Sequence, residues 1–202
     1  MQKIDYKKSL KHLYKPSAKQ VEFIEIPTLN YITVTGKGKP EGEEYQLALH
    51  ALYPVAYKTK FWMKQHKNFD YVVPPLEGLW WADDFSDFEN NNRDEWQWTM
   101  MIMQPESVSA DTVASVINTI ANKKDAPKAL NKVTFETINE GKCAQILHLG
   151  PFSEEGPVIQ KVHNAIAQSG GHLAGKHHEI YLSDIRRVTP DKYRTVIRQP
   201  MK

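Results

Sequence analysis

Two long stretches of this chain follow one order of elements, down to their turn residues. In the first, VEFIEI (21–26) and NYITVTGKG (30–38) alternate like strands, a helical pattern runs from Glu41 to about His66, and DYVVPPLEGLWW (70–81) and WQWTMMIMQP (96–105) are again strand-like. In the second, strand-like KVTFETI and CAQILHL are followed by a helical pattern over 158–169 and then by HHEIYLSD and YRTVIRQPM. Each second strand leaves through Gly and Pro (Gly38 and Pro40; Gly150 and Pro151), each third strand carries a Glu followed by aromatics, and each fourth ends in Gln-Pro. Pro54 is expected to kink the first helix, and a further helix over 110–122 closes the first half. Residues 82–95 are expected to form a polar loop. The repetition implies an α+β fold: an internally duplicated strand-strand-helix-strand-strand unit with pseudo-two-fold symmetry and a central ligand cleft. The whole of 1–202 then forms one domain, with a first repeat at about 21–122 and a second at about 132–202. The helices over 41–66 and 158–169 are expected on the sheet faces opposite the cleft.

Composition removes several classes of function. The 26 Lys and Arg against 24 Asp and Glu give a net charge of +2, and the basic residues are scattered, so no direct nucleic-acid binding is expected. No run of about 18 apolar residues occurs and the N-terminus has no apolar signal core, so a cytoplasmic protein without a membrane segment is expected. Cys143 is the single cysteine, which excludes an intrachain disulfide; in an apolar strand it reads as a small hydrophobe. The Gly36-Lys37-Gly38-Lys39 run matches no phosphate loop and no Gly-x-Ser-x-Gly elbow is present, so neither nucleotide nor serine-hydrolase chemistry is indicated.

What remains is a pair of carboxylates in apolar company. In HHEIYLSD, strand alternation puts His177, Glu179, Tyr181 and Ser183 on one face and His178, Ile180 and Leu182 on the other. In PLEGLWW, Glu77 sits among large apolar groups, at the position corresponding to Glu179. A carboxylate so placed needs a partner or an altered proton affinity. The adjacent histidines point to opposite faces, so no metal site is expected.

The motifs QILHLGPF, HHEIYLSD and TVIRQP, in this order, resemble the GyrI-like small-molecule-binding domain. LYKPSAK, PLEGLWW, WQWTMMIMQP and EGKCAQILHLGPF extend that resemblance to its free-standing bacterial subgroup. The resemblance implies a duplicated α+β domain whose cleft takes a flat, hydrophobic, aromatic small molecule, with a buried Glu matching Glu179. It also implies similarity to enzymes that hydrolyse the cyclopropane of DNA-alkylating antibiotics of the duocarmycin and yatakemycin type, for detoxification and drug resistance. Two other roles known in the family are multidrug binding without chemistry and a gyrase-inhibitor-like interaction.

For ring opening, water needs a base and the developing phenolate needs a donor. Glu179 is the candidate base, its pKa expected to rise from about 4.3 toward neutrality in an aromatic site. Tyr181 is the candidate donor to Glu179 or to the ligand, His177 is expected either to hold the carboxylate in position or to titrate with it, and Glu77 is the candidate second polar end. Tyr53, Tyr57, Trp62, Tyr71, Trp80, Trp81 and Trp98 are the candidate ligand walls, since aromatic rings give contact area at low entropic cost. Regular alternation prevents Trp80 and Trp81 from both facing the ligand. No cofactor is required.

Overall fold

The computed structural model describes residues 3–83 and 92–202. They form two compact units, each holding a strand from the other half of the sequence. One comprises the residues up to Tyr6, Leu29–Pro74 and Trp80–Ile138; the other comprises Lys7–Thr28, Pro75–Leu79 and Asn139–Lys202.

The first unit is built on β3 (Leu29–Lys37), which pairs antiparallel with β6 (Gln97–Gln104) on one side and β7 (Thr134–Ile138) on the other. A short parallel pair joins β1 (Lys3–Ile4) to β4 (Asp70–Tyr71). Among the described residues, two α-helices pack in this unit: α3 (Glu43–His66) and α4 (Ala110–Ala121). On α3 the buried positions Tyr45, Ala48, Leu52, Val55, Ala56 and Met63 recur at helical spacing, and the helix continues through Pro54, which lies on its half-exposed side. Ser109 caps α4 by accepting a hydrogen bond from the Thr112 N–H at 3.2 Å. Trp98 lies under Gly36, where no Cβ has room, and its indole N–H donates to the Gly38 carbonyl at 3.0 Å.

The second unit orders its strands β2 (Glu22–Ile26), β8 (Gly141–Leu149), β10 (Arg194–Pro200), β9 (His177–Tyr181) and β5 (Leu76–Trp81), of which the last two residues, Trp80 and Trp81, belong to the first unit. The β2–β8, β8–β10 and β10–β9 ladders are antiparallel. Two short helices, α1 (Tyr6–Ser9) and α2 (Lys11–Tyr14), precede them, and α5 (Gly156–Gln168) lies on one face. Pro157 suits the first turn of α5, and Gly170 at φ +81° follows its end. Val162 and Ile166, one turn apart, pack on Ala144, Ile146, Ile197 and Met201. Each large side chain so buried contributes about 1.5–3 kcal/mol.

The structure refines the expected elements. The stretch 70–81 is two strands rather than one, because Pro74 and Pro75 offer no N–H to a ladder. The first long helix begins at Glu43, two residues later than expected. The polar loop expected over 82–95 falls largely on 84–91, outside the described residues. Among the described residues no helix is long and apolar enough to cross a membrane.

Candidate functional site

Ladder register decides which side chains of the second unit share a surface. On β9, Glu179 stands opposite Ile197 and Tyr181 opposite Thr195, and on β10 Thr195 stands opposite His148. Directly opposed residues point the same way, so Glu179, Tyr181, Thr195, Ile197 and His148 belong to one face. Ile197 packs against Val162 and Ile166, which makes this the face that α5 covers. The expectation that this helix lies opposite the Glu179 face is therefore corrected: the apolar residues alternating with Glu179's neighbours need cover, and α5 supplies it.

The Glu179 carboxylate is gripped at both oxygens. Tyr181 Oη donates to Oε2 at 2.8 Å, and His177 Nε2 lies 3.2 Å from Oε1. The alternation expected for this strand thus brings all three groups together. The Glu179 side chain retains 15% exposure and that of His177 17%, enough for contact with water or a small ligand. Phe152, exposed at the turn before α5, sets its ring edge to Tyr181 at 5.8 Å and lies against Tyr193 at 5.2 Å. This aromatic corner beside the carboxylate involves two residues, Phe152 and Tyr193, not singled out in the sequence.

Glu155 was also missed. It occupies the N-cap of α5, yet makes no capping bond with its side chain; only 4% of the residue is exposed and Oε1 has no hydrogen-bond partner. Burial, and then the negative charge of Glu179, push its carboxyl up to about 9. The buried Thr195 Oγ1 likewise has no partner. The one signal in the sequence is a second Glu directly before the Gly156-Pro157 helix start.

Glu77 does not join this group. It is 1% exposed and bound on the opposite face, where Tyr14 Oη donates to Oε1 at 3.1 Å and His178 Nε2 lies 3.0 Å from Oε2. His178 Nδ1 sits 2.9 Å from Glu140 Oε1, and Arg198 reaches Glu140 at 3.4 Å, Gln145 Oε1 at 3.1 Å and the Leu13 carbonyl at 2.8 Å. Burial alone would lower the His178 pKa, but Glu140 and Glu77 raise it to about 9. Burial would raise that of Glu140, but His178 and Arg198 bring it to about 2. The result is a sealed network of opposite charges that fastens the segment around Leu13 and Tyr14 to β10. Glu77 thus lies at the Tyr14–His178 end of this network rather than beside Glu179.

The expected aromatic walls all lie in the first unit and divide by burial. Tyr71 and Trp98, both 0% exposed, present no surface to a ligand; Tyr71 Oη donates instead to Gln104 Oε1 at 3.1 Å. Trp80 is buried and stacks on Tyr45 at 6.2 Å, whereas Trp81 is half-buried. Trp62 is half-buried and stacks on His66. Tyr53 and Tyr57 are exposed one turn apart on α3, and Phe61, a further turn on, continues the stripe. In the second unit, a cavity of about 340 Å³ lined by Ile146, His148, Glu154 and Val158 adjoins the site from the β8 side; Glu179, Tyr181 and His177 do not line it.

Three comparisons with known proteins complete the description. A family model described as the GyrI-like small molecule binding domain matches residues 19–202. An uncharacterized conserved protein from Listeria innocua is 38% identical with a TM-score of 0.91, over 99% of this chain and 100% of that one. Two structures of hydrolases from Listeria innocua are 37% and 36% identical, with TM-scores of 0.86 and 0.87; they cover 99% and 100% of this chain and 100% of their own. The search of curated proteins finds no match.

Proposed function

We propose, from the premise that this chain belongs to the GyrI-like small-molecule-binding family, that it is a cofactor-independent hydrolase that opens the cyclopropane of a flat, aromatic, DNA-alkylating compound of the duocarmycin type. The observation that carries the reading is the Glu179 carboxylate, held at both oxygens by Tyr181 and His177 beside an aromatic corner and still reachable from solvent. The hydrolases from Listeria innocua, similar over the full length, support hydrolysis as the reaction type. The matching order of elements in the two halves, with β2 joined to β8 and β7 to β3, supports one duplicated domain.

In such a compound the three-membered ring is conjugated to a dienone. Glu179 takes a proton from water as the water oxygen bonds to the ring carbon. The ring C–C bond breaks, its electron pair enters the dienone, the oxygen of the resulting phenolate takes a proton from solvent, and Glu179 returns its proton to solvent. One water is added and nothing is oxidised or reduced. Tyr181 holds the base in line, and Phe152 and Tyr193 give the flat ligand an edge to lie on.

The test is mass spectrometry of a duocarmycin-type cyclopropane incubated with wild type and with Glu179→Gln. The expected outcome is a one-water adduct with wild type that is lost in the variant. A wild-type protein that binds the compound but leaves it intact after prolonged incubation sinks the reading. It leaves a binder in which Glu179 serves as an anion for cationic drugs.

A further inference from the structure

The Glu155 carboxyl has no place in the reaction as written, yet it is the most unusual polar group on the Glu179 face. A Glu at a helix N-cap ordinarily accepts the orphan N–H groups of the first turn or reaches water, where the helix dipole also favours it. Glu155 does neither: its side chain turns inward, nine-tenths or more buried, with Oε1 unpartnered. On that inner side stands Thr195, whose Oγ1 is also buried and unpartnered, directly across the ladder from Tyr181, which grips Glu179.

We propose that Glu155 and Glu179 work as a pair sharing one proton: Glu155 holds it at rest, which leaves Glu179 as the base, and the unpartnered Glu155 and Thr195 oxygens seat the water that Glu179 activates. The inference rests on the hydrolase reading above. Two carboxyls in one poorly solvated place do not both ionise, and the more buried one keeps the proton. Here Glu155 is the more buried, and its carboxyl is pushed up to about 9 by burial and by Glu179. The other titratable groups around the pair do not supply a substitute charge. His177 and Tyr181 on β9 are engaged with Glu179, His148 on β8 has its Nε2 3.1 Å from the Pro151 carbonyl, and burial lowers the pKa of His163 on α5. Glu155 is thus a positioning residue acting through the water and through Glu179. Before turnover the pair carries one negative charge; after Glu179 has taken the proton from water it carries none. Ionisation of Glu155 adds a second charge to the pair and disorders the seat.

Two measurements test this. The first needs no substrate: the infrared carbonyl stretch of a protonated carboxylic acid at neutral pH, expected in wild type, absent in Glu155→Gln, and displaced in Glu179→Gln. The second is the pH profile of turnover on the cyclopropane substrate, with thermal melting confirming each fold. Wild type is expected to lose turnover as pH rises through about 9. Glu155→Ala is expected to lower kcat on the order of 100-fold with KM within about twofold. Glu155→Gln, which keeps a neutral polar group, is expected to recover kcat to within about tenfold of wild type and to lack the alkaline loss. A missing infrared band, or one that survives in Glu155→Gln, overturns the pairing whatever the turnover. A pH profile unchanged in Glu155→Gln overturns the role in catalysis. A band that behaves as expected in a protein without turnover leaves the pair in place and removes the hydrolase reading instead.

Discussion

Replacing His178 by Gln should cost stability in a way that depends on pH, because the imidazolium is the cation at the centre of the buried network. The network's other ionisable members come from three elements and a connection: Glu77 on β5, Arg198 on β10, Tyr14 on α2, and Glu140 just before β8. In the fold its pKa rises from 6.5 to about 9. A raised pKa means that the folded state binds the proton more tightly, so the contribution is complete below pH 6.5 and is lost as pH climbs through 9. At about 1.4 kcal/mol per pH unit the contribution is on the order of 3 kcal/mol. The low pKa of Glu140 is the same attraction seen from its partner and is not added. Below pH 6.5, His178→Gln leaves two buried carboxylates without their shared cation, and the expected loss is about 3–5 kcal/mol. Urea unfolding of both proteins from pH 6 to 9.5 should show the gap between them shrinking by about 3 kcal/mol at the alkaline end. Glu155 also titrates over part of this range and His163 works in the opposite sense near its own pKa, but both are present in the two proteins and cancel. A gap that stays constant across the range refutes the charged His178 and the reasoning built on it.

Three further changes test other parts of the fold. Gly36→Ala drives a methyl into the Trp98 ring, which cannot yield without giving up its bond to the Gly38 carbonyl, so a loss of about 1–3 kcal/mol in urea unfolding is expected; unchanged stability contradicts the contact. Tyr14→Phe removes one donor from the buried Glu77 carboxylate and should cost about 1–3 kcal/mol, with faster proteolysis near residue 14; equal cleavage rates would speak against the anchoring of that segment. Cys143 is 0% exposed and burial pushes its thiol up to about 12. A thiol reagent at pH 8 should therefore modify it only as the protein unfolds, and rapid stoichiometric labelling of the native protein would contradict the buried strand.

Periodicity exposed most of the elements, and alternation along HHEIYLSD was sufficient to place His177, Glu179 and Tyr181 on one face. Local pattern fails where partners are distant in sequence. Nothing in VEFIEI states that it pairs with GKCAQ rather than with its own neighbour, because any strand with an apolar face meets that requirement. Glu77 reads as equivalent to Glu179, but burial is decided by what stands across from it, here Tyr14 and His178. Glu140 and Arg198 stand inside EGKCAQILHLGPF and TVIRQP, but each reads there as an ordinary charged residue until tertiary structure removes water from it. Glu155 is hidden for another reason: an acidic residue before a helix is the commonest of signals, and only its inward turn sets it apart.

The exchange of strands between the halves also sets a timetable for a ribosome making this chain. Lys7–Thr28 emerge early, but the strand that Glu22–Ile26 must join begins at Gly141, so this segment waits, without its partner, while the first unit's sequence is translated. The first unit lacks its outer strand until Ile138 is out, and the second lacks β10, its central strand, until Arg194–Pro200 are added. The second unit's sheet is therefore completed by the step that admits β10 between β8 and β9, and a nascent chain stalled before Arg194 carries an open ladder on each side of that gap.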